Sequence, residues 1–126
     1  MKKLVGVFLT LAASIALGTA ANAAIKSTGP VFTFGQDNAV CQITTVAPTA
    51  GNVTLRIINE SSVIVGSFVC GPMATNGYCR AVAGGLAAVG HWCTATGTAT
   101  DVNRIRGNMD IRLVNTQATA IEIPLR

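Results

Sequence analysis

Residues 52–59 read Asn-Val-Thr-Leu-Arg-Ile-Ile-Asn, and this stretch decides the fold class. Three apolar side chains, Val53, Leu55 and Ile57, alternate along it with polar ones. Because successive side chains of a β-strand point to opposite faces of a sheet, the alternation predicts a strand with one face buried and the other in water.

The flanking residues extend this strand into a hairpin, and the end of the chain repeats the pattern. Residues 59–62 are turn formers, and residues 63–70 form a second run rich in Val. Near the C-terminus a strand with one apolar and one charged face is followed by a turn at residues 115–117 and by a last strand. The predicted inward-facing residues of this second hairpin are Ile105, Met109, Ile111, Leu113, Ile121, Ile123 and Leu125.

Shorter runs predict the remaining strands. They are residues 31–35, 39–46, 78–83 and 91–98. The Ala and Gly content of residues 81–90 fits a strand with a bulge, a loose loop or one helical turn equally well, and we predict an irregular connection there. No stretch keeps a 3.6-residue apolar period, so we predict an all-β fold, an antiparallel two-sheet sandwich of about seven or eight strands.

The N-terminus has the features of a secretory signal peptide. Lys2 and Lys3 precede an apolar stretch at residues 4–17, and Ala21-Asn22-Ala23 places small residues at a cleavage site. We predict a signal peptide at residues 1–23 and one β-sandwich domain at residues 24–126. The apolar stretch is shorter than the ~20 residues that cross a bilayer. We therefore expect export to the periplasm or the medium and no integral membrane segment in the mature chain.

The charge of residues 24–126 is small. They carry seven Lys and Arg side chains and five Asp and Glu side chains, a formal charge of +2. This field is too weak to favour nucleic acid or an anionic membrane as a partner.

Four cysteines in an exported chain of this size predict two disulfides that staple the sandwich, with three pairings open to the sequence alone. Cys70 and Cys79 bracket a segment full of turn formers, so we pair them. Cys41 then pairs with Cys93 as a bridge between sheets. The competing interpretation is a metal site of Cys79, His91 and Cys93, but the spacing lacks the close Cys pairs of a zinc ribbon and the expected compartment oxidises thiols.

No catalytic set emerges from the remaining residues. His91 is the only histidine, and nothing near it in sequence identifies a nucleophile. Asp101 and Asp110 flank an arginine-rich run, where salt bridges account for both. Met73 and Met109 with His91 are a scattered set of copper ligands, and Met109 has a place in the core. We therefore predict no catalytic residue, no metal ligand and no cofactor.

Arg104, Arg106 and Arg112 form the one candidate binding surface in the sequence. Guanidinium groups on alternate positions can meet carboxylates or sulfates bidentately, which predicts an anionic ligand. The alternative is a solvated strand face whose charges oppose edge aggregation.

Two resemblances bear on function. Cys41-Gln42-Ile43, the hairpin at 53–69, Trp92-Cys93 and the closing hairpin at 106–126 resemble small secreted bacterial proteins of the immunoglobulin-like or fibronectin-like β-sandwich type. This resemblance implies fold, since such proteins largely lack assigned functions. We expect a non-catalytic secreted or periplasmic protein with a binding or structural role, which binds, shields or assembles. Its partner is an unknown protein or surface polymer.

The second resemblance concerns residues 29–35, Gly-Pro-Val-Phe-Thr-Phe-Gly, followed by Cys41-Gln42-Ile43. They are similar to the start of a chaperone-usher fimbrial subunit, whose N-terminal segment donates a strand to its neighbour. The next cysteine comes earlier than in that family, and the chain ends in Leu125-Arg126 instead of an aromatic-tipped strand. A pilin-like subunit that self-assembles by strand donation is the alternative function.

Overall fold

The computed structural model describes residues 23–33, 35, 37–113 and 119–126, which form two antiparallel β-sheets. The described strands are β1 (Ala23–Ser27), β2 (Val31–Phe32), β3 (Asp37–Thr45), β4 (Val53–Asn59), β5 (Ile64–Cys70), β6 (Tyr78–Leu86), β7 (Gly90–Thr98), β8 (Ile105–Arg112) and β9 (Thr119–Pro124). One short helix, α1 (Ala99–Asn103), joins β7 to β8. The predicted all-β, two-sheet fold is confirmed, with nine strands in the described residues.

The order of the strands sets which of them lie at the edges. The first sheet has the order β1-β7-β4-β5, with β2 also paired to β7, and the second has the order β6-β3-β8-β9. Each strand pairing is antiparallel. The central strands bury their inner faces. The edge strands β5 and β6 belong to different sheets and lie next to each other.

The core lies between the two sheets, on the faces that the alternation predicts. Val53, Leu55 and Ile57 are fully buried on β4, while Arg56 between them is exposed. From the second sheet, the buried side chains are those of Ala39, Cys41, Ile43, Ile105, Met109 and Ile111. Leu113, predicted to face inward, lies just beyond the end of β8 and is 38% exposed.

Both predicted disulfides are present. Cys41 on β3 is bonded to Cys93 on β7, which joins the two sheets through the core, with 5.8 Å between the Cα atoms. Cys70 at the end of β5 is bonded to Cys79 on β6, with 6.1 Å between the Cα atoms. No cysteine is free.

The prediction of an irregular connection over residues 81–90 is corrected, because β6 continues to Leu86. Pairing with β3 moves from Ala39–Ala83 to Asp37–Leu86, so Gly84 and Gly85 form a bulge. Gly85 has φ +61°, a conformation that glycine adopts without a steric penalty. Of the three alternatives, the strand with a bulge is the one observed for residues 81–86.

The N-terminal part differs from the prediction in two places. Residues 23–27, at the predicted cleavage junction, form β1 and pair with β7 from Ala23–Thr98 to Ser27–Thr94. The strand predicted at residues 31–35 is limited to Val31 and Phe32 in the described residues. Residues 1–22 of the predicted signal peptide and the predicted turn at residues 115–117 lie outside them.

Candidate functional site

The three arginines of the predicted anionic-ligand surface do not converge on one point. Arg106 and Arg112 lie on β8 six residues apart, which is roughly 20 Å along a strand. Arg104 caps the C-terminal end of α1.

Each of these arginines also has an acceptor within its own chain. Arg104 donates to the carbonyl oxygen of Pro48 at 2.6 Å, and Arg106 donates to that of Ile105 at 2.8 Å. Arg112 lies 3.5 Å from the carboxylate of Asp110. An anionic ligand would have to compete with these contacts, and the surface stays a prediction.

The predicted salt bridge is confirmed for Asp110, which lies beside Arg112. Asp101 is held mainly by backbone amides instead. The nearest partners of Asp101 are the backbone amides of Ala50 and Gly51, which donate to its two carboxylate oxygens at 2.9 Å each. These hydrogen bonds, the one from Ala50 foremost, hold the pKa of Asp101 below its ordinary value despite its burial. Asp101 therefore fastens the loop before β4 to α1.

His91 lies inside the protein, where the sequence predicts a surface or half-buried strand position. It is 1% exposed, and its Nδ1 lies 2.8 Å from the carbonyl oxygen of Val89. In the described residues no group of three or more His, Cys, Asp or Glu side chains could hold a metal ion. Met109 is fully buried and its sulfur lies 3.9 Å from the hydroxyl of Thr28.

An open cleft of about 470 Å³ lies beside β1. It is lined by Ala23, Ala24, Ile25, Asn52, Thr54, Thr96 and Gly97. These side chains are small, apolar or neutral, so the cleft brings no acid, base or nucleophile pair together.

The most distinctive surface of the described residues is an apolar edge made by β5 and β6. Of the eleven large apolar side chains that are exposed in the described part of the chain, seven lie between residues 63 and 82, with exposed fractions from 36% to 56%. We call these seven the apolar edge: Val63, Ile64, Val65, Phe68, Val69, Tyr78 and Val82. An exposed apolar cluster of this kind is typical of a surface that binds another molecule.

Two local features bring β5 and β6 side by side. A Cβ atom on Gly66 would lie 3.0 Å from the carbonyl oxygen of Val82 and 3.1 Å from the Cβ of Ala83, so a larger residue would have to push β6 away by a few tenths of an ångström. The Cys70–Cys79 disulfide joins one end of each strand. Yet β5 pairs with β4 alone among the described strands, so backbone N–H and C=O groups along its other side form no ladder with a described strand.

The β5 strand of the apolar edge lacks charge, whereas Arg80 lies between Tyr78 and Val82 on the exposed face of β6. Residues 61–79 contain no Asp, Glu, Lys or Arg. Natural sheets usually protect an edge strand with a charge, a proline or a bulge. Here one bulge is present, between the Ile57–Gly66 and Ile58–Ile64 pairs, and it leaves Gly66–Cys70 as regular strand.

Sequence reasoning predicted β5 but missed its exposure. The available signal was the run Val63-Ile64-Val65, followed by Phe68-Val69, which is apolar at both odd and even positions. A half-buried strand alternates, and an unbroken apolar run predicts either burial on both faces or exposure of one apolar face.

Comparison with known proteins supplies no relative. Protein-family models, curated proteins and solved structures were compared with the chain, and none matches. Within the part of the chain that the structure describes, no helix has the length and apolar character needed to cross a membrane. The resemblance to immunoglobulin-like or fibronectin-like sandwiches therefore stays a prediction.

Proposed function

We propose that this protein is a non-catalytic, exported binding protein that attaches to a protein partner by strand addition at the apolar edge. The observation that carries the proposal is β5, an uncharged strand with exposed apolar side chains whose outer side pairs with no described strand. In strand addition the main chain of the partner supplies hydrogen bonds and its side chains fill the neighbouring apolar surface.

The two disulfides support the exported part of the proposal. Disulfides persist in oxidising compartments and are rare in the cytosol. Both Cys41–Cys93 and Cys70–Cys79 form in this fold. The second one lies at the base of the apolar edge, so it also keeps β5 in place for a partner.

The position of His91 favours binding over catalysis. The ring is enclosed, and one of its nitrogens lies against a backbone carbonyl oxygen. A general base must reach a substrate proton directly or through one water molecule. His91 has the surroundings of a structural core residue.

The alternative is a fimbrial subunit that donates a strand from residues 29–35. In that segment Val31 and Phe32 pair with His91 and Gly90 of the same chain, and Val31 is buried. Donation would therefore require β2 to leave β7. This cost makes β5 as an acceptor of a strand the better-supported mode of assembly.

Strand addition is tested with a soluble peptide of alternating Val and Thr that carries lysines at its two ends. Amide hydrogen exchange of the disulfide-intact protein should slow in β5 when the peptide is added. The variant Val69→Lys, which places a charge on the apolar edge, should weaken peptide binding at least about tenfold.

Val46→Lys is the matched control, because Val46 is 53% exposed, close to the 54% of Val69, and lies outside the apolar edge. It should bind the peptide as the unmodified protein does. Peptide-induced protection that appears elsewhere, or that Val69→Lys leaves unchanged, would reject strand addition at β5.

A further inference from the structure

We infer that the strand added at the apolar edge comes from a second copy of this chain, through antiparallel pairing of β5 with β5. This inference rests on the proposed function and names its partner. Two identical edges that pair antiparallel are related by a two-fold axis, so each edge is both donor and acceptor of the same contacts.

The charge distribution favours an identical partner. Residues 61–79 carry no charge, so β5 itself offers no field that would select an acidic or basic peptide. A complementary surface must itself be extended, apolar and uncharged. β5 of another copy has these properties, and at its centre two copies bring no like charges together.

The other edge strands are protected in ways that β5 is not. β9 carries Glu122 and Pro124, and β6 carries Arg80. At the remaining edge, β1 carries Lys26, and its last residue, Ser27, is hydrogen-bonded to Arg126. A charge opposes pairing with another chain, and among the described edge strands of five or more residues β5 alone carries none.

The exposed area is large enough for a pair. Side chains of this size that are about half exposed leave on the order of 600 Å² on each copy, so covering the whole apolar edge of both copies would bury about 1,200 Å², the lower limit for a stable specific interface. The regular stretch Gly66–Cys70 is short, and the bulge beside it bends the strand. Pairing through this stretch uses up both edges and ends in a dimer.

The test measures the mass of the exported, disulfide-intact protein by sedimentation between about 1 and 200 μM. We expect a monomer–dimer equilibrium, with amide protection in β5 that increases with protein concentration. Val69→Lys should raise the dissociation constant at least about thirtyfold, and Val46→Lys should leave it unchanged. Ser67→Lys repeats the charge at an exposed polar position of the same strand, in case Val69→Lys fails to fold.

The outcomes separate this inference from the proposed function. A protein that stays monomeric at about 200 μM yet gains peptide-induced protection in β5 rejects the second copy and retains strand addition. A dimer that survives both lysine substitutions forms through another surface and also rejects the inference. Absence of both the dimer and the peptide-induced protection rejects the two proposals together.

Discussion

The two sides on which the sheets meet are built differently. On one side, which we call the closed side, the Ser27 amide donates to the Arg126 carbonyl oxygen at 3.0 Å, and the Arg126 amide donates to that of Ser27 at 3.2 Å. Lys26 Nζ adds a hydrogen bond of 3.0 Å to the Ile105 carbonyl oxygen. On the other side, the apolar edge, β5 and β6 are joined by a disulfide and by the close approach at Gly66.

The difference shows two solutions to one physical problem. Backbone N–H and C=O groups at a sheet edge need partners, and the closed side supplies them from its own chain. A disulfide fixes the distance between two strands but satisfies no backbone group. The disulfide therefore holds β5 and β6 together at one end while the outer side of β5 stays without a pairing strand.

The largest loss of stability is expected from removing the Cys41–Cys93 disulfide, which joins the two sheets through the core. The double variant Cys41→Ala, Cys93→Ala frees the two sheets across the core, where the cysteines are 52 residues apart in sequence. Chain entropy predicts a loss of about 4 kcal/mol in the free energy of unfolding. Urea denaturation followed by tryptophan fluorescence measures this loss. A loss below about 1 kcal/mol would contradict a role of the disulfide in holding the two sheets together.

A smaller and more local loss is expected at the apolar edge. In the double variant Cys70→Ala, Cys79→Ala the removed link spans nine residues, and chain entropy predicts a loss of somewhat under 3 kcal/mol. Amide exchange should accelerate in β5 and β6 while the Ser27 and Arg126 amides keep their protection. Equal acceleration on both sides would show that the two sides are not independent.

The smallest effect concerns Asp101, whose helix α1 packs against β1 near the closed side. Asp101→Asn replaces an acceptor by an amide that cannot accept from both Ala50 and Gly51, and it should cost about 1 to 2 kcal/mol at neutral pH.

The same variant should change the pH dependence of stability. The pKa of Asp101 is lower in the folded chain than its ordinary value of 3.8, so its contribution is present above that value and is lost as the pH falls through the folded pKa. Urea midpoints below about pH 4 should therefore fall less steeply for Asp101→Asn than for the unmodified protein. Parallel curves would contradict this role.

Much of the fold was predictable from the sequence, because these parts of it depend on local patterns of residues. The alternation in residues 52–59 is enough to place β4, and turn formers between Cys70 and Cys79 are enough to pair them. The Cys41–Cys93 bridge then followed by elimination.

The features that were missed depend on partners far along the chain. β1 was hidden because residues 23–27 adjoin the predicted cleavage site and their partner, β7, lies about 70 residues away. The amides that bind Asp101 come from a loop 50 residues earlier. That β5 lacks an outer neighbour follows from strand order, which no local run of residues encodes.

The reciprocal bonds between Ser27 and Arg126 have a consequence for the timing of folding. The strands of the first sheet all lie within residues 23–98, whereas the hydrogen bonds of Ser27 on the closed side require Arg126. Contacts between such distant residues form slowly. The closed side is therefore expected to be the last part of the sandwich to form, after both sheets are in place.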